Sequence, residues 1–259
     1  MVRRNWIRFW SLCLALTAQC SWAAEVQVAV AANFSSTMQV IALAFEQESG
    51  HQVRIITGAT GKFYAQIKHG APFQVLLAAD TQTPLLLEQE GLAVAGSRFT
   101  YALGRLVLWS RQPDLVDAQG EVLRSTRFKR LAIADPRLAP YGAAAMQTLE
   151  QLGVLAHVKD RLVQGESVTQ AYQFVASANA ELGFIASSQL IVDGKRIAGS
   201  SWLVPESLHS PLRQDAVLLK SGQANPAALS LMLFLRSPRA RMLMRDNGYS
   251  NPSAKHDFP

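Results

Sequence analysis

The chain has 259 residues, of which 49% are hydrophobic and 17% charged, enough apolar material for one large or two small α/β domains. Its formal charge of +6 is a mild surplus with no Lys/Arg stripe interleaved with aromatics, which argues against nucleic-acid binding. Both cysteines, Cys13 and Cys20, lie near the N-terminus, so the rest of the chain has no disulfide, no thiolate metal site and no cysteine nucleophile.

Arg3, Arg4 and Arg8 form a positive region, and the apolar stretch 9–18 is too short to span a bilayer as a helix. Ser21-Trp22-Ala23 supplies small residues at the −3 and −1 positions of a cleavage site. Residues 1–23 therefore read as a secretory signal peptide cut after Ala23. Gln19 before Cys20 does not suit a lipoprotein site, and the Arg3-Arg4 pair sits in a poor twin-arginine context. The leader removes three arginines and no acid, lowering the formal charge from +6 to +3. The remaining chain is expected to be a soluble periplasmic protein.

The elements then alternate. Residues 25–31 read as a strand, followed by a helix with Met38, Ile41, Ala42 and Phe45 on one face that ends near Gly50. Residues 52–57 form a second strand. Gly58-Ala59-Thr60-Gly61 opens a short helix with Phe63, Tyr64 and Ile67 apolar, and Gly70 and Pro72 stop it. Residues 75–78 are a buried strand, and Thr83-Pro84 starts a helix that ends at Gly91. Strands follow at 105–109 and 130–135 around an irregular excursion at 111–129. Tyr141-Gly142 opens a helix ending at Gly153, and Ser167 caps a helix bearing Val168, Ala171, Tyr172 and Val175. Strands at 182–186 and 216–219 precede two final helices, the second with Ser237 at its N-cap and Pro238 at its first position. Residues 251–259 read as a flexible tail. This order predicts a mainly parallel sheet flanked by helices, and periodicity leaves one large sheet and two smaller ones equally open.

Four loops enter helices, at Ala31-Ala32-Asn33, Ala59-Thr60-Gly61, Pro140-Tyr141-Gly142 and Glu166-Ser167-Val168. In an open α/β sheet such turns gather at the carboxyl edge of the strands, where ligands bind. They offer neutral donors and backbone N–H groups, which suit a small anion held by helix dipoles. Taken singly, Asn33 and Ser167 read more simply as N-caps. Lys62 is the one cation nearby, already inside its helix.

Enzyme signals are weak. The five histidines are scattered and polar-flanked, which reads as solvated surface, and no Gly-x-Ser-x-Gly elbow, Walker loop or dinucleotide fingerprint occurs. Asp80 and Asp135 end apolar runs but read as a helix approach and a turn. Trp109 and Trp202 read as core or hinge packing.

The segments Ala31-Ala-Asn-Phe34, 58–67, Gly70-Ala-Pro-Phe73, 97–104, Ala139-Pro-Tyr-Gly142 and Leu182-Gly-Phe184 together resemble the periplasmic molybdate-binding proteins of ABC transporters, in the type II class of solute-binding proteins. The resemblance runs from Val26 to about Tyr249. It implies two α/β domains joined by a two-strand hinge, residues 24–105 plus 216–250 and residues 106–215, with the ligand in the interdomain cleft. It implies an oxyanion site made by Ala32, Asn33, Thr60, Tyr141 and Val168, the last through its backbone N–H, with no catalytic residue and no direct protein–metal ligand. Many members carry Ser at the positions of Asn33 and Thr60 and Tyr at that of Ala186; a subgroup pairs Asn in the first loop with Tyr in the third, as here. Tyr141 is then expected to replace the missing donor. The implied function is capture of molybdate, and of tungstate, by a monomer that needs no cofactor and delivers the ion to a membrane permease. The alternatives are a sulfate or other tetrahedral oxyanion, or an exported α/β hydrolase, for which no nucleophile–base pair is evident.

Overall fold

A computed structural model describes residues 23–192 and 195–250. The expected leader apart from Ala23, and the expected tail at 251–259, lie outside the described residues.

The first lobe is built on β1 (Glu25–Ala31), α1 (Ser35–Ser49), β2 (Gln52–Gly58), α2 (Thr60–Lys68), β3 (Val75–Leu77), α3 (Gln82–Gln89) and β4 (Phe99–Leu103). The chain then crosses to the second lobe: β5 (Leu106–Ser110), β6 (Leu131–Ala134), α4 (Pro140–Gln151), α5 (Leu155–Val158), β7 (Leu162–Gly165), α6 (Val168–Ala176), β8 (Leu182–Ala186), a small ribbon of β9 (Ile191–Val192) and β10 (Lys195–Arg196), and β11 (Ser200–Leu203). It returns through β12 (Arg213–Leu218) and closes with α7 (Pro226–Phe234) and α8 (Pro238–Asp246).

Two five-stranded sheets result, ordered β2-β1-β3-β12-β4 and β11-β5-β8-β6-β7. Each has a parallel part, β2-β1-β3 and β8-β6-β7. Each also has antiparallel strands where the chain crosses, β12 and β4 in the first sheet and β5 and β11 in the second. The expected parallel sheet is thus two mixed ones, because strands that leave or re-enter a lobe run against their neighbours.

The first sheet is covered on both faces. Val28 and Val30 of β1 and Val75 and Leu77 of β3 meet Phe34, Met38, Ile41 and Phe45 beside α7. The alternate residues Ala29 and Leu76 face Phe63, Ile67 and Leu87. This split follows from the two-residue period of a strand. The second sheet packs Leu106, Leu108, Leu131, Ile133 and Phe184 against Ala145, Leu149, Ala171 and Val175.

Caps and packing residues fall largely as their chemistry dictates. Gly50 ends α1 in the left-handed region at φ 71°, and Ser237 caps α8 by accepting from Ala240 N at 3.1 Å. Trp109 is buried and stacks on Tyr172, ring centroids 5.4 Å apart, while Trp202 is buried in the same lobe. Two of the histidines are not on the surface: His51 and His209 are buried, His51 accepting from Ala24 N through Nδ1 and His209 Nδ1 lying 2.8 Å from Ser210 O.

Candidate functional site: a small cavity between four helix starts

Strands β1, β2 and β7 lead within two residues into helical turns, and β6 reaches α4 through the turn at 135–139. Their turns meet between the lobes, where Ala31–Asn33, Gly58–Thr60, Ala139–Tyr141 and Ser167–Val168 line a cavity of about 10 Å³, with Ala79 as a further wall. The five residues expected to bind an oxyanion, Ala32, Asn33, Thr60, Tyr141 and Val168, all lie on this cavity. The first N–H groups of a helix have no partner inside it, so each helix start aims donors and the positive end of its dipole here. None of the helices concerned carries an acidic residue in its first turn. No residue lining the cavity has an ionisable side chain except Tyr141.

Small residues make the convergence possible. A Cβ at Gly142 would collide with the Ala134 carbonyl, so only glycine lets α4 start this close to the end of β6. Gly61 N–H donates to Leu138 O at 2.9 Å, joining the start of α2 to the opposite lobe.

Thr60 is buried, and its Oγ1 accepts from Ala79 N at 3.0 Å. Its hydroxyl hydrogen is left to donate elsewhere. Ser167 is the N-cap of α6, its hydroxyl accepting from Gln170 N at 3.4 Å. Val168 follows as the first residue of that helix. Ala32 O accepts from Thr169 Oγ1 at 3.1 Å across the lobes.

Asn33 is not an N-cap. It sits in a 3-10 turn, Ala32–Phe34, and α1 has no side-chain cap. Its Nδ2 donates to Gln214 Oε1 at 2.9 Å and to Tyr249 Oη at 3.0 Å, committing both amide hydrogens. Its carbonyl accepts from Tyr249 Oη at 2.7 Å and from Ser188 Oγ at 3.2 Å. The expectation that its carboxamide donates to an anion is therefore not how the fold uses it; the backbone N–H is what Asn33 can offer.

Tyr141 also has its hydroxyl at this shell of side chains, although its hydroxyl hydrogen, unlike the Asn33 amide hydrogens, is not committed to an acceptor among the described residues. Its hydroxyl accepts from Gln214 Nε2 at 3.3 Å and lies against Gly104, and neither neighbour lines the cavity. The ring points to the crossover, and the helix start presents the residue's backbone. Ala186, buried in β8, does not line the cavity either. Burial pushes the phenols of Tyr101, Tyr141 and Tyr249 above the ordinary tyrosine range, so all three stay protonated.

The sequence reading missed the shell behind the cavity: Gln214, Tyr249, Tyr101 and Ser188. The available signal was Gln214-Asp215, two polar residues opening an otherwise apolar strand. Asp215 is fully buried and answered by Arg98 at 2.6 Å and Thr100 Oγ1 at 2.7 Å.

The charged residues nearby are all otherwise engaged. Lys62 pairs with Glu166 across the lobes at 2.5 Å, half-exposed. Asp80 accepts from Thr83 N and Oγ1, a helix approach as expected, and burial raises its pKa. Asp135 holds the Arg137 guanidinium and backbone N–H in a turn. Among the described residues no group of three or more His, Cys, Asp or Glu could hold a metal ion, and no helix is long and apolar enough to cross a membrane.

Two α/β lobes joined by crossing strands, with helix starts from both facing one cavity, define a solute-binding protein. Residues 26–250 match the bacterial extracellular solute-binding proteins, and the chain belongs to that family. It is 56% identical over 236 residues to the molybdate-binding protein ModA of Azotobacter vinelandii, covering 91% of this chain and 92% of the relative. It is 49% identical to the protein of that name from Rhodobacter capsulatus, covering 88% of each. Its fold is similar to the solved periplasmic molybdate-binding protein of Azotobacter vinelandii, with TM-score 0.86 and 41% identity over 88% of this chain and all of the other.

Proposed function

We propose that this protein captures molybdate, and tungstate, in the periplasm after loss of residues 1–23, and delivers it as a monomer to an ABC-transporter permease. The observation that carries this is the convergence of four helix starts on one cavity lined by no charged side chain. Each helix start acts as about half a positive charge, so four approach two, the charge of a tetrahedral molybdate dianion. Ala32, Asn33, Tyr141 and Val168 would donate through backbone N–H groups and Thr60 through its hydroxyl as well. Tungstate has the same charge and shape, and the site has no feature that separates the two.

Binding and release then follow from the lobes. A cavity of about 10 Å³ is near the space of one water, so a tetrahedral oxyanion enters only when the lobes draw apart. An ion touching both lobes favours the closed arrangement by its differential affinity. The moving bodies would be residues 24–105 plus 216–250 and residues 106–215. Because β12 pairs with β4 from Arg213, we place the second boundary just before that residue. No nucleophile–base pair stands at the cavity, which favours carriage over catalysis.

A thermal-shift panel of molybdate, tungstate, sulfate, phosphate and chromate tests this. The first two should raise Tm, and sulfate should not at equal concentration, because an ion too small to reach every donor leaves buried N–H groups unmet. Equal stabilisation by sulfate would make this a general oxyanion carrier, and no response to molybdate would end the proposal.

A further inference from the structure

Behind the cavity, one side chain is bonded to site residues from both lobes. Gln214 is fully buried at the start of β12, at a register shift against β4 where the chain has just returned from the second lobe. Its Oε1 accepts from Asn33 Nδ2 at 2.9 Å and from Tyr101 Oη at 3.0 Å. Its Nε2 donates to Tyr141 Oη at 3.3 Å. Asn33 belongs to the turn after β1 and Tyr141 to the start of α4. A carboxamide has an acceptor end and a donor end, so it can meet an amide hydrogen on one side and a phenol oxygen on the other. Gly104, at the other crossover, leaves the room: a Cβ there would collide with both Tyr141 Oη and Gln214 Nε2.

We propose that Gln214 is a positioning residue that couples the two halves of the site, holding the Asn33 turn and the Tyr141 helix start in the one arrangement where both present N–H groups to the same ion. The proposal rests on the oxyanion reading of the cavity. Gln214 does not touch the ion. Its contribution is to turn the Asn33 carboxamide inward and to fix Tyr141 as an acceptor, so that closing one lobe on the other re-forms a single bonded shell. Without it, the Asn33 hydrogen and the Tyr141 oxygen are buried without partners, and each turn is free to relax away from the cavity.

Gln214→Met keeps length and apolar fill but removes both polar ends; Gln214→Glu keeps the acceptor end and makes the donor end depend on a proton. Calorimetry with molybdate on wild type and both variants should give at least a tenfold weaker Kd for Gln214→Met, with faster release in stopped flow. The pH profile separates positioning from simple loss of stability. A protonated Glu at 214 can donate to Tyr141 as Gln does, whereas the ionised form must accept from Tyr141 Oη instead and adds a buried negative charge behind the cavity, so affinity of that variant should rise as pH falls, while wild type stays flat. The groups facing the introduced carboxyl are Tyr101, Tyr141 and Tyr249, kept protonated by burial, and the adjoining Asp215, which is paired with Arg98. A Gln214→Met Kd within twofold of wild type, or a Gln214→Glu profile as flat as wild type, would overturn the proposal. Small-angle scattering without ligand tests it independently: Gln214→Met should be more open, and a curve identical to wild type counts against the coupling. Failure of wild type itself to bind molybdate would fault the oxyanion reading instead, with the scattering comparison still deciding the role of Gln214.

Discussion

The small cavity and the wide cleft beside it share Ala79, Ala139 and Pro140 as walls and have little else in common. The cleft, about 570 Å³, carries Asp80, Arg137 and Arg213. The cavity, about 10 Å³, is lined by small and apolar residues, the hydroxyl residues Thr60 and Ser167, Asn33 and Tyr141, with no charged side chain. The cleft's Arg137 is paired and exposed, its charge already answered by Asp135 and screened by water. The cavity's field comes from helix ends that cannot be neutralised by a rotating side chain and are not screened when the lobes are shut. Under the proposed function, the smaller and uncharged space is the stronger site for a dianion, whereas charge counted residue by residue points to the cleft.

The sharpest way to break that comparison is at Thr60. Thr60→Val keeps the shape, removes the donor to the ion and leaves the buried Ala79 N–H without its acceptor. A hydrogen bond to a charged group is worth about 1.5–3 kcal/mol, so calorimetry should show molybdate bound about tenfold to a hundredfold more weakly. A change under twofold would remove Thr60 from the site.

Tyr141→Phe should do less, because the hydroxyl meets Gln214 rather than the cavity. The expected loss is about three- to tenfold in affinity, about 0.7–1.4 kcal/mol, through an unpaired Gln214 donor. An effect larger than that of Thr60→Val would return the hydroxyl to the ion. Smaller again are Lys62→Ala and Arg137→Ala, which remove exposed, paired cations at the edge of the cavity and in the cleft. Each should change Kd by less than about threefold and leave its salt dependence unaltered. A tenfold loss from Arg137→Ala would move the ion into the cleft.

The smallest expected effect is that of pH. Burial raises the folded-state pKa of Tyr141, so its proton is retained past the ordinary value near 10 and no phenolate charge develops beside the cavity on the alkaline side. Molybdate affinity should be level between about pH 6 and 9. A fall through neutrality would require a titrating histidine or carboxylate in the site.

Much of this was legible locally. The strands at 25–31 and 182–186, the cap at Ser237 and the four turns follow from period, Gly placement and capping chemistry, which act over a few residues. The strands β4, β7 and β11 were not read, because short, half-exposed strands at sheet edges carry little apolar contrast. The side-chain bonds of Asn33 and Tyr141 to the shell behind the cavity were not legible for a different reason. Their side-chain partners, Gln214 and Tyr249, lie between 73 and 216 residues away in sequence, and no local pattern encodes such bonds. Both residues line the cavity and also bond the shell behind it.

Where the ion sits can be seen directly. Crystals grown with molybdate and measured on both sides of the molybdenum absorption edge should give one anomalous peak per chain, between Thr60 and Val168, within hydrogen-bond reach of the N–H groups at Asn33 and Tyr141. A peak in the wide cleft beside Arg137 and Arg213, or none at saturating molybdate, would contradict an uncharged site built from helix ends.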